Sequence, residues 1–336
     1  MEFWSPLSLA ILAAGFYMAW NLGANDLANA MATSVGSRAL RIWQATLIAA
    51  VLNLVGAAFY GSRVTHTVAQ GIVPIGSLEP HILALGALAV LLAAATFLIT
   101  ATHWGLPVST THAIVGAMAG FGIVAIGPGR VAWGVLGKIV ASWLISPLIG
   151  GLVAFFIYTI FRHLILARVS DAGLPQVERV FALLQIASAS YVAFAHGSND
   201  VANAIGPLAA VFGFVDQGTP TWLLLFGGAG IAIGTGTWGY RVMRTVGREI
   251  TRITPVSGFS AEISAASSIL VFSSLGLPIS TTHTVVGAVI GIGLASGIEA
   301  LNLRTIRNIL LSWLFTVPAA AGLAALLFLV FRGVGL

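Results

Sequence analysis

The chain has 336 residues, of which 58% are hydrophobic and 7% charged, with a formal net charge of +5 and no cysteine. A soluble domain carries about 25% charged residues, so a water-soluble globular enzyme is excluded, and so are disulfides and thiolate chemistry. The positive charge comes from scattered Arg in short loops, where membrane topology explains it; nothing points to nucleic acid.

Apolar segments follow one another at 6–22, 43–60, 82–101, 112–126, 131–161, 180–195, 201–215, 222–238, 258–275, 283–299 and 306–331. A bilayer crossing takes about 20 such residues. Several segments are too short to cross alone, and others are long enough to tilt or break. The first is not followed by a small-residue cleavage site and reads as a spanning helix rather than a signal peptide. In lipid every backbone polar group needs a partner, and these runs are too long for barrel strands. The fold class is therefore an all-α polytopic membrane protein of about 10–12 transmembrane segments with broken or re-entrant helices.

The chain repeats itself. Gly23-Ala24-Asn25-Asp26-Leu27-Ala28-Asn29-Ala30 returns as Gly197-Ser198-Asn199-Asp200-Val201-Ala202-Asn203-Ala204, offset 200 − 26 = 174. Gly105-Leu106-Pro107-Val108-Ser109-Thr110-Thr111-His112 returns as Gly276-Leu277-Pro278-Ile279-Ser280-Thr281-Thr282-His283, offset 276 − 105 = 171. Gly61-Ser62-Arg63-Val64 with Thr67-Val68 matches Gly239-Tyr240-Arg241-Val242 with Thr245-Val246, and Ser142-Trp143-Leu144 matches Ser312-Trp313-Leu314. The expected organisation is a first membrane repeat at 1–161, a basic linker at 162–179 with Arg162, Arg168 and Arg179, and a second repeat at 180–336.

Loop charge gives the relative orientation. Arg38 and Arg41 follow the first Asn-Asp motif, whereas the counterpart near Asp216 has no basic residue. The loop at 61–81 has one Arg, and its counterpart has Arg241, Arg244, Arg248 and Arg252. Opposite bias in corresponding loops predicts inverted-topology repeats, with the basic linker cytoplasmic and both termini outside.

Seven of the ten acidic residues lie in or near loops; Asp26, Asp200 and Glu262 lie in apolar context. A charge at the bilayer centre costs about 2.5–3.5 kcal/mol on insertion scales, so a repeated acid there marks a site. In the second constellation, Pro107 and Pro278 interrupt a helix, and the Ser and Thr after each suit the start of a new one. Free N–H groups and three hydroxyls at a buried helix start make an anion site without a basic residue. Two carboxylates would repel that anion. A small hard cation held by Asp and Asn oxygens with unwound backbone carbonyls removes the conflict. Each ligand then raises the affinity for the other, which is what a symporter requires.

Other residues stay open at this level. Gln185 is a cation ligand or a helix–helix hydrogen bond. Glu262, whose counterpart is Leu91, is a cation or proton site or an interfacial acid. His112 and His283 read as packing or capping residues rather than ligands, and His196, which beside Asp200 could titrate near neutral pH, reads as structural. The nine Trp read as interfacial anchors.

At these motifs the chain resembles the inorganic phosphate transporter family, the PiT or PHO-4 permeases, over nearly its whole length. Gly23–Ala30 and Gly197–Ala204 look like the family's duplicated signature, and Gly105–His112 and Gly276–His283 like its paired Pro-x-Ser-x-Thr-His elements. The resemblance implies cation-coupled phosphate symport by an inverted-repeat fold. It implies that Asp26, Asn29, Asp200, Asn203 and Gln185 serve Na+ (or H+), and that Ser109, Thr110, Thr111, Ser280, Thr281 and Thr282 hold phosphate. Asn25 and Asn199 are assigned to either. Glu262 matches a family Glu, whereas Asn53 stands where the family commonly has a Glu. No cofactor is implied beyond the co-transported cation. The compact form matches prokaryotic members, which implies a multi-pass protein of the cell membrane. A homodimer is left open. A sulfate permease on the same scaffold and a cation exchanger are the alternatives. The exchanger leaves the Ser-Thr-Thr elements unexplained. An intramembrane hydrolase is disfavoured because no G-x-S-x-G elbow is present.

Overall fold

A computed structural model describes residues 4–70, 72–74, 76, 78–214, 217–240 and 250–335. Among them there is no strand. The α-helices are α1 (Pro6–Gly36), α2 (Ile42–Gln70), α3 (Pro80–His103), α4 (Thr110–Ile126), α5 (Trp133–Leu164), α6 (Leu174–Phe212), α7 (Thr221–Trp238), α8 (Pro255–Ser274), α9 (Thr281–Ser296) and α10 (Leu303–Gly333). Seven of these are long and apolar enough to cross a membrane, while α4 and α9 are shorter apolar helices.

Helix starts follow local chemistry. Ser5 accepts from Ser8 N ahead of Pro6, and Thr254 forms a capping box with Ser257 ahead of Pro255. Proline at the first helical position loses nothing, because that N–H has no partner in the helix. Ser109 and Ser280 cap α4 and α9 by accepting from His112 N at 3.2 Å and His283 N at 3.1 Å.

Three expectations need correction. The apolar runs 180–195 and 201–215 are one helix, α6, of 39 residues. No proline separates them, and the polar side chains between find partners on neighbouring helices instead of breaking their own. The loop expected at 61–81 is helical up to Gln70, so Arg63 is a helix residue. The Trp residues do not all sit at interfaces: Trp4, Trp43, Trp104 and Trp133 are exposed, but Trp143 and Trp313 are buried. Asp216, Arg241, Val242, Arg244, Thr245, Val246 and Arg248, used in the loop-charge and repeat comparisons, lie outside the described residues. The basic segment between α5 and α6 runs through Arg168, with Arg179 already inside α6.

The two broken elements are hairpins. In the first, α3 and α4 flank the break at 104–109; in the second, α8 and α9 flank the break at 275–280. Just past the first hairpin, Ala132 N donates to Ile72 O, beyond the end of α2. Past the second, Asn302 N donates to Ile250 O. Ile250 lines a cavity of about 950 Å3 with Ser37, Arg38, Glu178, Arg252 and Asn302, at the end where α2 begins. A second cavity, about 450 Å3, is lined by Ser62, Arg63, His66, Thr219 and Ser274, toward the other end of α2.

Small residues let these layers close. A Cβ on Gly116 or Gly120 of α4 would lie 2.6 Å from Val317 O or 2.1 Å from Ala321 O of α10. At the corresponding positions of α9, one on Gly287 or Gly291 would lie 2.3 Å from Pro147 O or 2.1 Å from Gly151 O of α5. Such close backbone approach is how apolar helices associate without a hydrophobic gradient between protein and lipid. The outer faces of α5 and α10 leave Leu144, Leu148, Leu314 and Phe315 exposed, as a lipid-facing surface requires.

Gly197 tests this packing beside the second Asn-Asp motif, because a Cβ there would lie 2.1 Å from Asn53 O of α2. Gly197→Ala lowers the thermal midpoint in detergent through an overpacking cost of about 1–3 kcal/mol. Gly137→Ala, where nothing lies within 4 Å, leaves it unchanged. Equal midpoints for both variants would refute the α2–α6 contact.

Candidate functional site

Each break exposes three successive carbonyls, and each is capped from elsewhere. Leu106 O accepts from Asn25 Nδ2 (3.3 Å), Pro107 O from Trp313 Nε1 (3.2 Å) and Val108 O from Thr282 Oγ1 (3.2 Å). In the second break, Leu277 O accepts from Asn199 Nδ2 (3.2 Å), Pro278 O from Trp143 Nε1 (3.4 Å) and Ile279 O from Thr111 Oγ1 (2.9 Å). The Thr links cross from one hairpin to the other. Asn25 and Asn199 also tie to their own hairpins through Thr102 Oγ1 (2.9 Å) and Ser273 Oγ (2.8 Å).

The acid-amide motifs lie directly against these breaks. Asn29 Nδ2 donates to Asp26 Oδ1 and to Thr282 Oγ1, both at 2.8 Å. Asn203 Nδ2 donates to Thr111 Oγ1 at 3.1 Å. Thr281 Oγ1 donates to Asp200 Oδ2 at 2.7 Å. Sequence neighbours thus end up in different places: each motif's first Asn holds its own half, while its second Asn reaches the other half. Asp26 and Asp200 are fully buried.

His196 sits between the two acids. Its Nε2 lies 2.9 Å from Asp200 Oδ2 and 3.5 Å from Asp26 Oδ2, and its Nδ1 lies 2.6 Å from Asn53 Oδ1. Both ring nitrogens therefore face oxygens. Nδ1 pairs with Asn53 Oδ1, whereas Nε2 is buried beside the two carboxylates without a hydrogen bond of its own. At i, i+4 His196 shares a helix face with Asp200, the neighbour that the sequence already sets beside it. The ligand atoms of Asp26, His196 and Asp200 all lie within 4.8 Å of one another, close enough to hold a metal ion.

Five oxygens of the two motifs are buried without a hydrogen-bond donor: Asn25 Oδ1, Asp26 Oδ2, Asn199 Oδ1, Asp200 Oδ1 and Asn203 Oδ1. A buried acceptor without a partner costs about 1–3 kcal/mol, and the two on Asp26 and Asp200 belong to residues whose ligand atoms lie close enough to share a cation. Both helices run unbroken through their Asn-Asp motifs, so the motifs themselves offer side-chain oxygens, while each break carbonyl that accepts one hydrogen bond keeps a second lone pair.

Gln185 and Glu262 come together, but apart from this cluster. Glu262 accepts from Ser34 Oγ (2.7 Å) and Gln185 Nε2 (3.2 Å), and also from Thr33 and Ser188. Ser37, at the wall of the larger cavity, donates to Gln185 Oε1 at 2.6 Å. Thr33 follows Asp26 by seven residues, about 10 Å along α1. Thr33, Ser34 and Ser188 were not singled out from the sequence, since an isolated hydroxyl in an apolar helix gives no signal until a buried acid is found beside it.

A model of the phosphate transporter family matches residues 22–324. The chain is 41% identical to a Thermococcus kodakarensis protein, by name a candidate phosphate permease, over 100% of both chains. It is 39% identical to the chloroplastic inorganic phosphate transporter 2-1 of Arabidopsis thaliana, across 95% of this chain and 71% of that one. A solved structure, titled the sodium-dependent phosphate transporter, matches with a TM-score of 0.90 and 38% identity, covering 98% of this chain and 100% of that one.

The crossed Thr links carry a direct test. Thr111→Val and Thr282→Val are nearly isosteric, and each strips one carbonyl and one Asn amide of a partner. Each variant loses about 1–3 kcal/mol per stranded group, read as a lowered unfolding midpoint. Thr100→Val, which removes only a bond back to Thr96 O on the same helix, is the control and shows no such loss.

Proposed function

The chain belongs to the phosphate transporter family, whose members are transporters and not enzymes; from that premise we propose that it imports inorganic phosphate by symport with Na+ through a midplane site built from both halves. The observation that carries the proposal is the set of donor-free buried oxygens lying beside two Ser-Thr-Thr helix starts. The oxygens suit a small cation. The helix starts, with their first N–H groups unpaired within the helix, suit an oxyanion.

In this reading phosphate sits between the N-termini of α4 and α9, facing Ser109, Thr110, Ser280 and Thr281. Thr111 and Thr282 hold the two hairpins together at its edge. Asp26, Asn29, Asp200 and Asn203 hold Na+. The atoms left to Asn25 and Asn199 are acceptors, so these residues go to the cation rather than the anion. Two carboxylates about 4 Å apart repel by roughly 4 kcal/mol at an effective dielectric of 20. Na+ removes that repulsion and the repulsion of phosphate together, so each binds better in the other's presence. Gln185 and Glu262, with Thr33, Ser34 and Ser188, form a further cation station between this centre and the larger cavity.

The halves are read as inverted repeats. The two hairpins being anchored at opposite ends of α2 supports this. So do the paired hydrogen bonds of the two breaks, which obey the sequence offsets. The larger cavity then faces the cytoplasm of a prokaryotic cell, on the side of the basic linker, and the central cluster is sealed from both cavities.

Phosphate at neutral pH still carries a proton that a carboxylate such as Asp200 accepts, whereas sulfate carries none, so the site discriminates against sulfate. Purified protein in proteoliposomes takes up phosphate faster under an imposed Na+ gradient, and excess sulfate leaves that uptake unchanged. Uptake driven by a pH gradient alone would reassign the coupling to protons. No uptake under either gradient would overturn phosphate transport. Asp26→Asn and Asp200→Asn each abolish coupled uptake while the protein remains folded in the membrane. Wild-type rates in either variant would remove the carboxylates from the site.

A further inference from the structure

Four rings run in a row through the middle of the protein. Trp143 packs on His112 with centroids 3.7 Å apart, His112 meets His283 edge-on at 4.4 Å, and His283 stacks on Trp313 at 3.5 Å. All four are buried. Each Trp thereby touches both hairpins. The ring of Trp143 lies on His112, in the third position of α4, while its Nε1–H reaches Pro278 O in the other break. Its own carbonyl accepts from His283 Nδ1 at 3.2 Å, which places the proton of that ring on Nδ1. Trp313 repeats the pattern in reverse: its ring lies on His283, and its Nε1–H reaches Pro107 O.

We propose that Trp143 and Trp313 are positioning residues that lock the two Ser-Thr-Thr helix starts at one mutual spacing, each by stacking on one hairpin while hydrogen-bonding the other. Neither Trp is placed against the cargo. Each acts two residues ahead of a capping Ser: Pro107 precedes Ser109 and Pro278 precedes Ser280. The carbonyls they hold are ones that proline breaks inevitably expose, and indole is the one side chain that offers a single N–H on a large flat ring. Because the staples cross, neither helix start can shift without dragging a ring stacked on the other. The two halves of the anion pocket therefore keep their separation when the surrounding helices rearrange.

The proposal rests on the transport reading for its kinetic arm only. Trp→Phe keeps a ring for stacking and deletes the N–H. In a phosphate-uptake assay, Trp143→Phe and Trp313→Phe each raise the apparent KM for phosphate about three- to tenfold, the effect of one neutral hydrogen bond, with the maximal rate nearly unchanged. Trp104→Phe, at an exposed position, changes neither. An unchanged KM in both buried variants overturns the proposal, as does a fall in maximal rate alone.

The second arm needs no transport. The chain has no cysteine, so one introduced thiol reports one place. Leu106→Cys and Leu277→Cys, at half-buried tips of the two breaks, are labelled with a maleimide in the folded, detergent-purified protein. Trp143→Phe speeds labelling at position 277 and not at 106; Trp313→Phe does the reverse. Equal effects at both positions, or none at either, overturn the crossed arrangement. If wild-type protein takes up no phosphate but the labelling is crossed as described, the transport reading fails and the staple stands.

Discussion

Six carbonyls govern this structure. Wherever a helix is interrupted inside a membrane, its backbone must find hydrogen bonds without help from water. The residues that solve that problem here are the residues that build the site. Asn25 and Asn199, Thr111 and Thr282, Trp143 and Trp313 each spend a donor on a broken backbone. Having done so, the two Asn residues present only oxygen to the centre. The demand for backbone satisfaction thus selects which polar atoms remain unpaired, and it knits together two hairpins that are far apart in sequence.

The same logic bears on the proposed phosphate site, which has no lysine or arginine in its motifs. In that proposal a fixed positive side chain would bind phosphate whether or not a cation was present and would weaken the coupling, whereas helix termini and hydroxyls give a weaker field that a mobile charge completes. His196 lies between two carboxylates and Asn53, and those neighbours leave it little net charge to offer an anion.

Much of this was legible in the sequence. The duplicated Asn-Asp and Pro-x-Ser-Thr-Thr-His elements marked both the repeat and the candidate site, because an acid in an apolar run and a proline beside three hydroxyls are each costly without a purpose. The helix breaks were placed correctly at the prolines. A further break at the second Asn-Asp motif was not there, since polar side chains with partners across the interface leave the helix ladder intact. What stayed hidden was pairing between distant residues. Nothing local marks Thr33, Ser34 and Ser188 as partners of Glu262, or tells a buried Trp313 from an exposed Trp104. His196 was visible only by its spacing to Asp200, and its link to Asn53, 143 positions away, is a matter of how α2 crosses α6.

The unbroken course of α6 has one more consequence. Gln185, Ser188, His196, Asp200 and Asn203 all hang from one rod, so the outlying acid pocket and the central one share a single helical phase. Adding or deleting one residue between Ser188 and His196 would twist the two sets apart by about 100° and turn one of them away from its partners. Segment length there is as tightly constrained as residue identity, although Ala189, Val192 and Ala193 carry no chemistry of their own.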